Sequence, residues 1–299
     1  MVSPIMGVYY RRKSQYTHTG KIALCCIAKL ENVYIRFFVE YHKKLHFDKI
    51  FIYDNNDLDG ERLEEVINDY IDQQYVEVID YRGKQVVQLA AYQDCYDRHN
   101  KEYDWIAFFD CDEFLTFADE TYDIHLFLNQ RKFLPFQMMH INWKIYGDNE
   151  LLDNDGRSVV ERFKNPVLPL DFMTRGVPWN KTTKSIVRGG LSAIVWKATA
   201  HTPTSKYYYC CNSEGVAVRA NSALQEIEFK TVFLRHYRTK SIGEWVRNKM
   251  IRGFADQPDK SWKQILTLNH FFEYNQITKE KLDYANKILE ELKAYPKSK

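Results

Sequence analysis

Trp105-Ile106-Ala107-Phe108-Phe109 runs without a break into Asp110-Cys111-Asp112-Glu113. A short apolar run bounded by polar residues reads as a strand buried on both faces. Three carboxylates then follow within four residues. At that density they repel one another, and they are costly beside a core unless a cation neutralises them. Residues two apart in a strand share a face, so a strand running through Asp110 and Asp112 presents both side chains together. Two hard oxygen ligands suit a divalent ion such as Mn2+ or Mg2+. The segment therefore predicts a buried strand that ends at a cation site, and with it a metal-assisted enzyme.

The preceding residues say which fold supplies such a strand end. Ile22–Ala28 is a continuous apolar run. Val33, Phe37, Phe38, Tyr41 and Leu45 then fall on one helical stripe. Lys49–Tyr53 reads as a second strand, closed by the polar turn Asp54-Asn55-Asn56-Asp57. Leu63, Val66, Ile67, Tyr70 and Ile71 mark a second helix. Tyr75–Ile79 is a third strand, and Val87, Ala90, Ala91 and Cys95 mark a third helix. This β-α-β-α-β-α-β series predicts an α/β fold, a Rossmann-like three-layer α/β/α sandwich around a mostly parallel sheet. Ligands in such sheets bind beyond the carboxyl ends of the strands. The polar groups at those ends are Lys29-Leu30-Glu31-Asn32, Asp54-Asn55-Asn56-Asp57 and Asp110-Cys111-Asp112-Glu113.

After residue 120 the alternation weakens. Residues 145 to 190 are rich in Gly, Pro, Asn and Asp and read as loops and short strands on the cleft side. Ser241-Ile242-Gly243-Glu244 has the form of a capping box opening a helix. Residues 278 to 293 read as an amphipathic helix through Leu282, Ala285, Ile288, Leu289 and Leu292. The predicted organisation is a polar lead-in over 1–20, a catalytic domain over 21–255 and a helical appendage over 256–299.

A chain of 299 residues with 45% hydrophobic content builds a real core. A net charge of +2 gives no nucleic-acid signal. No run of 18 apolar residues predicts a membrane span, and the N-terminal stretch lacks the apolar region of a secretory signal. Cys25, Cys26, Cys95, Cys111, Cys210 and Cys211 form no Cys-x-x-Cys motif, so they read as buried, reduced thiols rather than zinc ligands. That usage predicts a cytoplasmic protein, with association at the inner membrane face left open. Oligomeric state is not encoded in these features.

A second constellation is Arg235-His236-Tyr237-Arg238-Thr239-Lys240-Ser241. It leads into the capped helix, and helix N-termini attract phosphates. Arg238 adds a forked cation and Lys240 a point charge. His236 can complete a metal shell as a neutral imidazole; His201 is the rival, ranked behind it. A divalent ion on two aspartates beside a cationic helix start is a device for stabilising a diphosphate leaving group. The compatible substrates are nucleotide sugars and nucleoside triphosphates.

On these residues the chain resembles the GT-A fold glycosyltransferases of the family 92 and family 2-like group, of the bacterial polysaccharide type. The matching segments are Lys29 to Asn32, Glu40-Tyr41-His42, Tyr53-Asp54-Asn55, Gln88 with Ala91-Tyr92, Trp105 to Phe114, Lys184 to Val187, and His236 to Ser241. The resemblance covers roughly residues 21 to 255. It implies a nucleotide-sugar donor, most simply a UDP-sugar, and a glycan or lipid-linked sugar acceptor in surface polysaccharide synthesis. It implies Mn2+ (or Mg2+) at Asp110 and Asp112. It places Lys29, Glu31, Asp54, Asn55, Gln88 and Asp110 in the donor site, with Arg238 or Lys240 on the diphosphate. Two departures stand out: Lys29-Leu30-Glu31-Asn32 where related transferases carry Lys-Asn-Glu, and Phe37-Phe38 where they carry Glu-Trp.

An inverting transferase needs a carboxylate base for the acceptor hydroxyl. Asp148 follows the metal motif in the acceptor region and is the first candidate, with Glu150 and Asp171 behind it. Trp143, Trp179 and Tyr146 are candidates for stacking on a sugar ring. The alternatives are a nucleotidyltransferase, which wants a Gly-rich basic loop where this chain has Ala28-Lys29-Leu30-Glu31, an aspartate phosphatase, and a non-catalytic carbohydrate-binding protein, which has no use for Arg238 and Lys240.

Overall fold

The computed structural model describes residues 18–205, 208–252 and 266–294. Residues 1–17 of the predicted lead-in, and the predicted boundary between 255 and 256, lie outside them. Ten strands form one sheet: β1 (Ile22–Ala28), β2 (Lys49–Asp54), β3 (Val76–Asp80), β4 (Trp105–Phe108), β5 (Glu113–Phe117), β6 (Met138–Ile145), β7 (Thr183–Arg188), β8 (Cys210–Cys211), β9 (Ala217–Val218) and β10 (Val232–His236). The order is β3-β2-β1-β4-β7-β6-β10-β5, with β8 on β6 and β9 on β8. β3, β2, β1 and β4 are mutually parallel. The three helices between them, α1 (Asn32–Lys44), α2 (Glu64–Asp72) and α3 (Gln88–His99), make the crossovers. This is the predicted α/β sandwich.

β7 inserts antiparallel between β4 and β6, and β10 runs parallel to β6 and antiparallel to β5. β6 and β7 were hidden because their polar residues are buried. On β6, His140 and Asn142 are almost fully buried beside Met139, Ile141 and Trp143. Asn142 donates to the Asn180 carbonyl at 3.1 Å and accepts from the Glu228 N–H at 3.2 Å. Hydrogen-bonded polar side chains are tolerated inside, but they erase the apolar run that marks a strand.

One apolar cluster, including Leu24, Ile52, Phe38 and Leu115, fills one face of the sheet. A second, including Phe51, Tyr92, Phe108 and Trp196, fills the other. The buried face of α1 is rotated from the predicted stripe. Tyr34, Ile35, Phe38, Val39 and His42 point inward, while Val33 is exposed. Two polar contacts set the rotation: Tyr34 bonds Glu244, and His42 bonds β5. The C-terminal helix spans Lys279–Ala294 and buries Ala285 and Ile288 against Ile242, Trp245 and Phe271. Leu292 of its predicted stripe is exposed, whereas Lys281 is buried. All six cysteines are free and buried. No helix among the described residues is long and apolar enough to cross a membrane.

Three histidines, His42 and His140 buried and His201 partly so, lie where the neutral imidazole is favoured. Burial lowers His42 to about 3, and His140 and His201 to about 4. His42 shows the reason: Nδ1 donates to the Phe38 carbonyl at 2.9 Å and Nε2 accepts from the Leu115 N–H at 3.4 Å. A proton on Nε2 would face that N–H. The unfolded chain protonates its histidines near 6.5, above the folded values, so stability is full above that pH and drains away as pH falls toward 4. Lowering the pH from about 7.5 to about 5.5 is expected to cost about 4 kcal/mol over the three sites. Urea midpoints along that series check it; a flat profile would show that the imidazoles are not held neutral.

Candidate active site

β4 ends at Phe108, although Phe109 extends its ladder by one bond, N–H to the Cys25 carbonyl at 3.1 Å. Asp110 and Asp112 then sit in the tight turn that joins β4 to β5, and Glu113 is the first residue of β5. The expected strand through both aspartates is therefore replaced by a turn. Glu113 makes that turn: its N–H bonds the Asp110 carbonyl at 3.0 Å and its Oε2 accepts the Asp110 N–H at 3.0 Å. Glu113 is fully buried.

The antiparallel register sets His236 directly opposite Glu113, and facing residues of such a pair project to the same side. The Tyr237 N–H bonds the Asp112 carbonyl at 2.9 Å, which ties the turn to the end of β10. One ligand atom each from Asp112, Glu113 and His236 lies within 4.8 Å of the others. That spread is of the size a single divalent ion spans at about 2.1 Å per ligand. Glu113 Oε1 and His236 Nδ1 are buried without a hydrogen-bond partner, and His236 Nε2 stands 3.5 Å from Asp112 Oδ1. The donor set of two carboxylates and one neutral imidazole fits Mn2+ or Mg2+.

The grouping differs from the expected one. Glu113 joins it, whereas Asp110 and His201 stand beside it. Asp110 Oδ1 already accepts from Gln88 Nε2 (2.7 Å) and Tyr92 Oη (2.9 Å) and is ion-paired with Lys184 Nζ at 2.8 Å. His201 gives its Nδ1 to the Thr183 carbonyl at 3.0 Å, and its ring packs edge-on against Trp143. Trp143 lies between the two imidazoles, its ring centre 4.2 Å from that of His236.

Lysines balance the acids. Lys184, on β7, is buried with Nζ 2.8 Å from Asp110 and 3.8 Å from Glu113. Lys249 places Nζ 2.6 Å from Asp112 Oδ2. Burial opposes ionisation of Asp112, yet Lys249 and His236 pull its pKa well below the usual carboxylate range. Asp110 is likewise lowered, since Lys184 outweighs burial. Burial wins at Glu113 and raises it well above the ordinary value. Burial also lowers His236, which favours the neutral, ligating form.

The basic segment does more than face solvent. Lys240 is buried, with Nζ 3.6 Å from Glu31 and 3.5 Å from the centre of the Tyr34 ring. Arg238 stacks its guanidinium 4.5 Å from the Trp179 ring centre. The capping box is present, with Ser241 and Glu244 exchanging side-chain bonds. Two of its first-turn N–H groups are taken: Gly243 donates to the Leu152 carbonyl at 2.9 Å and Glu244 to Ser241 Oγ at 3.4 Å. Glu244 is also the acceptor of a buried fork from Arg162, both contacts at 2.8 Å, and of the Tyr34 hydroxyl at 2.8 Å.

Of the remaining expected residues, Gln88 joins the acidic turn directly. Lys29 pairs with Asp57 at 2.6 Å. Asp54 is buried against Arg82 at 3.2 Å, and Asn55 donates to the Tyr81 and Lys84 carbonyls. Asp148 is buried, with its carboxylate 2.6 Å from Lys281, whose ammonium is also 3.0 Å from the largely exposed Glu150. Asp171 is exposed in a turn. Trp143 and Tyr146 are core residues, while Trp179 is half-buried. From the sequence Glu113 reads as a partner of the metal aspartates or a solvated carboxylate, and Lys249 and Arg162 have no assigned role. Only the spacing of Ser241 and Glu244 hinted at this network, and it could not name Arg162 as the counter-ion.

The model of glycosyltransferase family 92 matches residues 22–286. The chain belongs to glycosyltransferase family 92. A family 92 protein of Oryza sativa subsp. japonica is 30% identical over 115 residues, 38% of this chain and 18% of that protein. One of Ricinus communis is 33% identical over 116 residues, 37% of this chain and 20% of that protein. The chain thus spans about a fifth of the length of these curated relatives. Among solved structures, S. aureus TarS 1-349 aligns with a TM-score of 0.38 at 11% identity, covering 92% of this chain and 81% of that one. The mannosyltransferase PcManGT from Pyrobaculum calidifontis, in complex with GDP-Man and Mn2+, aligns with a TM-score of 0.38 at 7% identity, covering 99% and 84%. Both likenesses are too distant to bear on ligand or activity. The matched range contains both the acidic turn and the basic segment.

Breaking a buried ion pair on one side leaves the other charge uncompensated. Arg162→Met is expected to destabilise the fold by about 3 kcal/mol or more, read as a lower denaturant midpoint. An unchanged midpoint would mean that the Arg162–Glu244 fork contributes nothing.

Proposed function

We propose that this chain is a metal-dependent glycosyltransferase that moves a sugar from a UDP-sugar to a glycan or lipid-linked sugar acceptor, with inversion. The observation that carries the reading is the buried Asp112–Glu113–His236 group at the carboxyl end of β4, in the crevice where open α/β sheets take ligands. Asp112, Glu113 and His236 would hold the metal, with Asp110 beside them. Bound there, Mn2+ or Mg2+ supplies Lewis-acid stabilisation of the departing diphosphate. Gln88, Tyr92 and Lys184 hold Asp110, and through the Glu113 bond they fix the turn. Arg238, Lys240 and Lys249 are the cations available to the diphosphate charge. Lys29, Glu31, Asp54 and Asn55, at the ends of β1 and β2, line the donor side.

For the acceptor, the half-buried Trp179 with Arg238 stacked on it offers a ring face and a cation in one place. For the base we keep Asp148 ahead of Glu150 and Asp171. Burial raises its pKa, the direction that lets a carboxylate take a proton, and Lys281 fixes its position. A role in surface polysaccharide synthesis at the cytoplasmic face of a membrane rests on the resemblance of the Asp110–Phe114 and His236–Ser241 segments.

The test is a panel of nucleotide sugars, with and without Mn2+, monitored for release of nucleoside diphosphate. Metal-dependent release from one UDP-sugar is expected, and Asp112→Ala is expected to lower it by at least about 100-fold. Full activity in excess chelator would overturn the metal assignment. Asp148→Asn is expected to cut transfer about 100-fold or more while leaving UDP affinity unchanged. A near-normal transfer rate would remove Asp148 from the mechanism.

A further inference from the structure

The two lysines on the acidic turn are held differently. Lys184 projects from the middle of the sheet, with its side chain almost fully buried between Asp110 and Glu113. It is a fixed counter-charge. Lys249 comes from the helical segment that begins at Ile242, at the end of its π-helical stretch Trp245–Lys249. π-segments recur at functional sites because they displace side chains from the regular repeat. The Lys249 side chain reaches Asp112 from the rim and keeps 15% of its surface exposed. Its Nζ stands 2.6 Å from Oδ2, on the carboxylate that belongs to the metal group.

A divalent ion and an ammonium on one buried carboxylate repel strongly at low dielectric. Each therefore loosens the other's hold on Asp112. We infer that Lys249 is a resident counter-ion of Asp112 which a divalent metal must displace, and whose displaced ammonium then meets the donor diphosphate, so that metal and nucleotide load cooperatively. The inference rests on the metal site proposed above. Its physical content is a competition: Lys249 weakens the metal alone, and nucleotide restores the lost affinity. Linkage makes the coupling reciprocal, so metal also tightens nucleotide binding by the same factor. The helix is anchored for this role. Glu244 is gripped by Arg162 and Tyr34, and Asn248 donates to the Tyr34 hydroxyl at 3.2 Å. The segment is therefore fixed up to the residue that precedes Lys249.

The experiment measures Mn2+ binding to the full chain by the EPR signal of unbound Mn2+, without nucleotide and with UDP. Lys249→Met is expected to bind Mn2+ alone about tenfold more tightly than the unaltered protein, and to lose about tenfold of the tightening that UDP confers. Lys249→Arg keeps the charge and is expected to retain the weak affinity for Mn2+ alone. Lys249→Gln repeats the neutral arm should the methionine variant fold poorly, which its melting temperature reports. Equal or weaker Mn2+ binding by both neutral variants, with binding still abolished in Asp112→Ala, would overturn the role of Lys249 and leave the metal site standing. No Mn2+ binding by any variant, with or without UDP, would overturn the metal site and this inference with it.

Discussion

Asp110, Asp112 and Glu113 lie together at the end of a buried strand, and that charge has to be balanced by groups from elsewhere in the chain. The balance comes from widely separated elements. Lys184 arrives on β7, His236 on β10 and Lys249 on the helix that follows, while Gln88 and Tyr92 come from α3. Each is expensive to bury alone and tolerable only with its partner. The antiparallel half of the sheet therefore serves the acidic turn: β7 carries Lys184 past β4, and β10 lays His236 opposite Glu113.

A second ionic node sets where the basic segment sits. Glu244 takes the Arg162 fork, the Tyr34 hydroxyl and the Ser241 hydroxyl at once. It joins α1, the short helix Val159–Arg162 and the capped helix at one buried point. Lys240 and Lys249 lie on either side of that point, so their reach toward Glu31 and Asp112 follows from it. Lys281 repeats the pattern on the C-terminal helix. Its buried ammonium holds Asp148 at 2.6 Å and ties that helix to the loop after β6. Such pairs do little for net stability but discriminate against alternative arrangements, because a misplaced helix leaves a buried charge alone.

Much of the first half was legible. The apolar runs of β1 to β4 and the periodicity of α2 and α3 name their own elements, since β1, β2 and β4 are buried almost throughout. The second half was not. His140, Asn142, Thr183 and Lys184 are polar residues at buried strand positions, each in contact with a polar or charged neighbour distant in sequence. A one-dimensional pattern scores them as exposed. The same effect displaced the buried face of α1, where His42 and Tyr34 point inward because Leu115 and Glu244 await them.

The sequence by itself determined that a buried strand ends in a carboxylate cluster, that a basic segment precedes a capped helix, and that the alternation of elements builds an α/β sandwich. These are local properties of periodicity and charge density. Only the tertiary structure decided that Glu113 stands within reach of Asp112 and His236, because that placement depends on a turn and on the register of β5 against β10. It also decided that Lys249 stands on Asp112. The two residues are brought together by strand order and a helix anchored at Glu244, and no spacing along the chain encodes either.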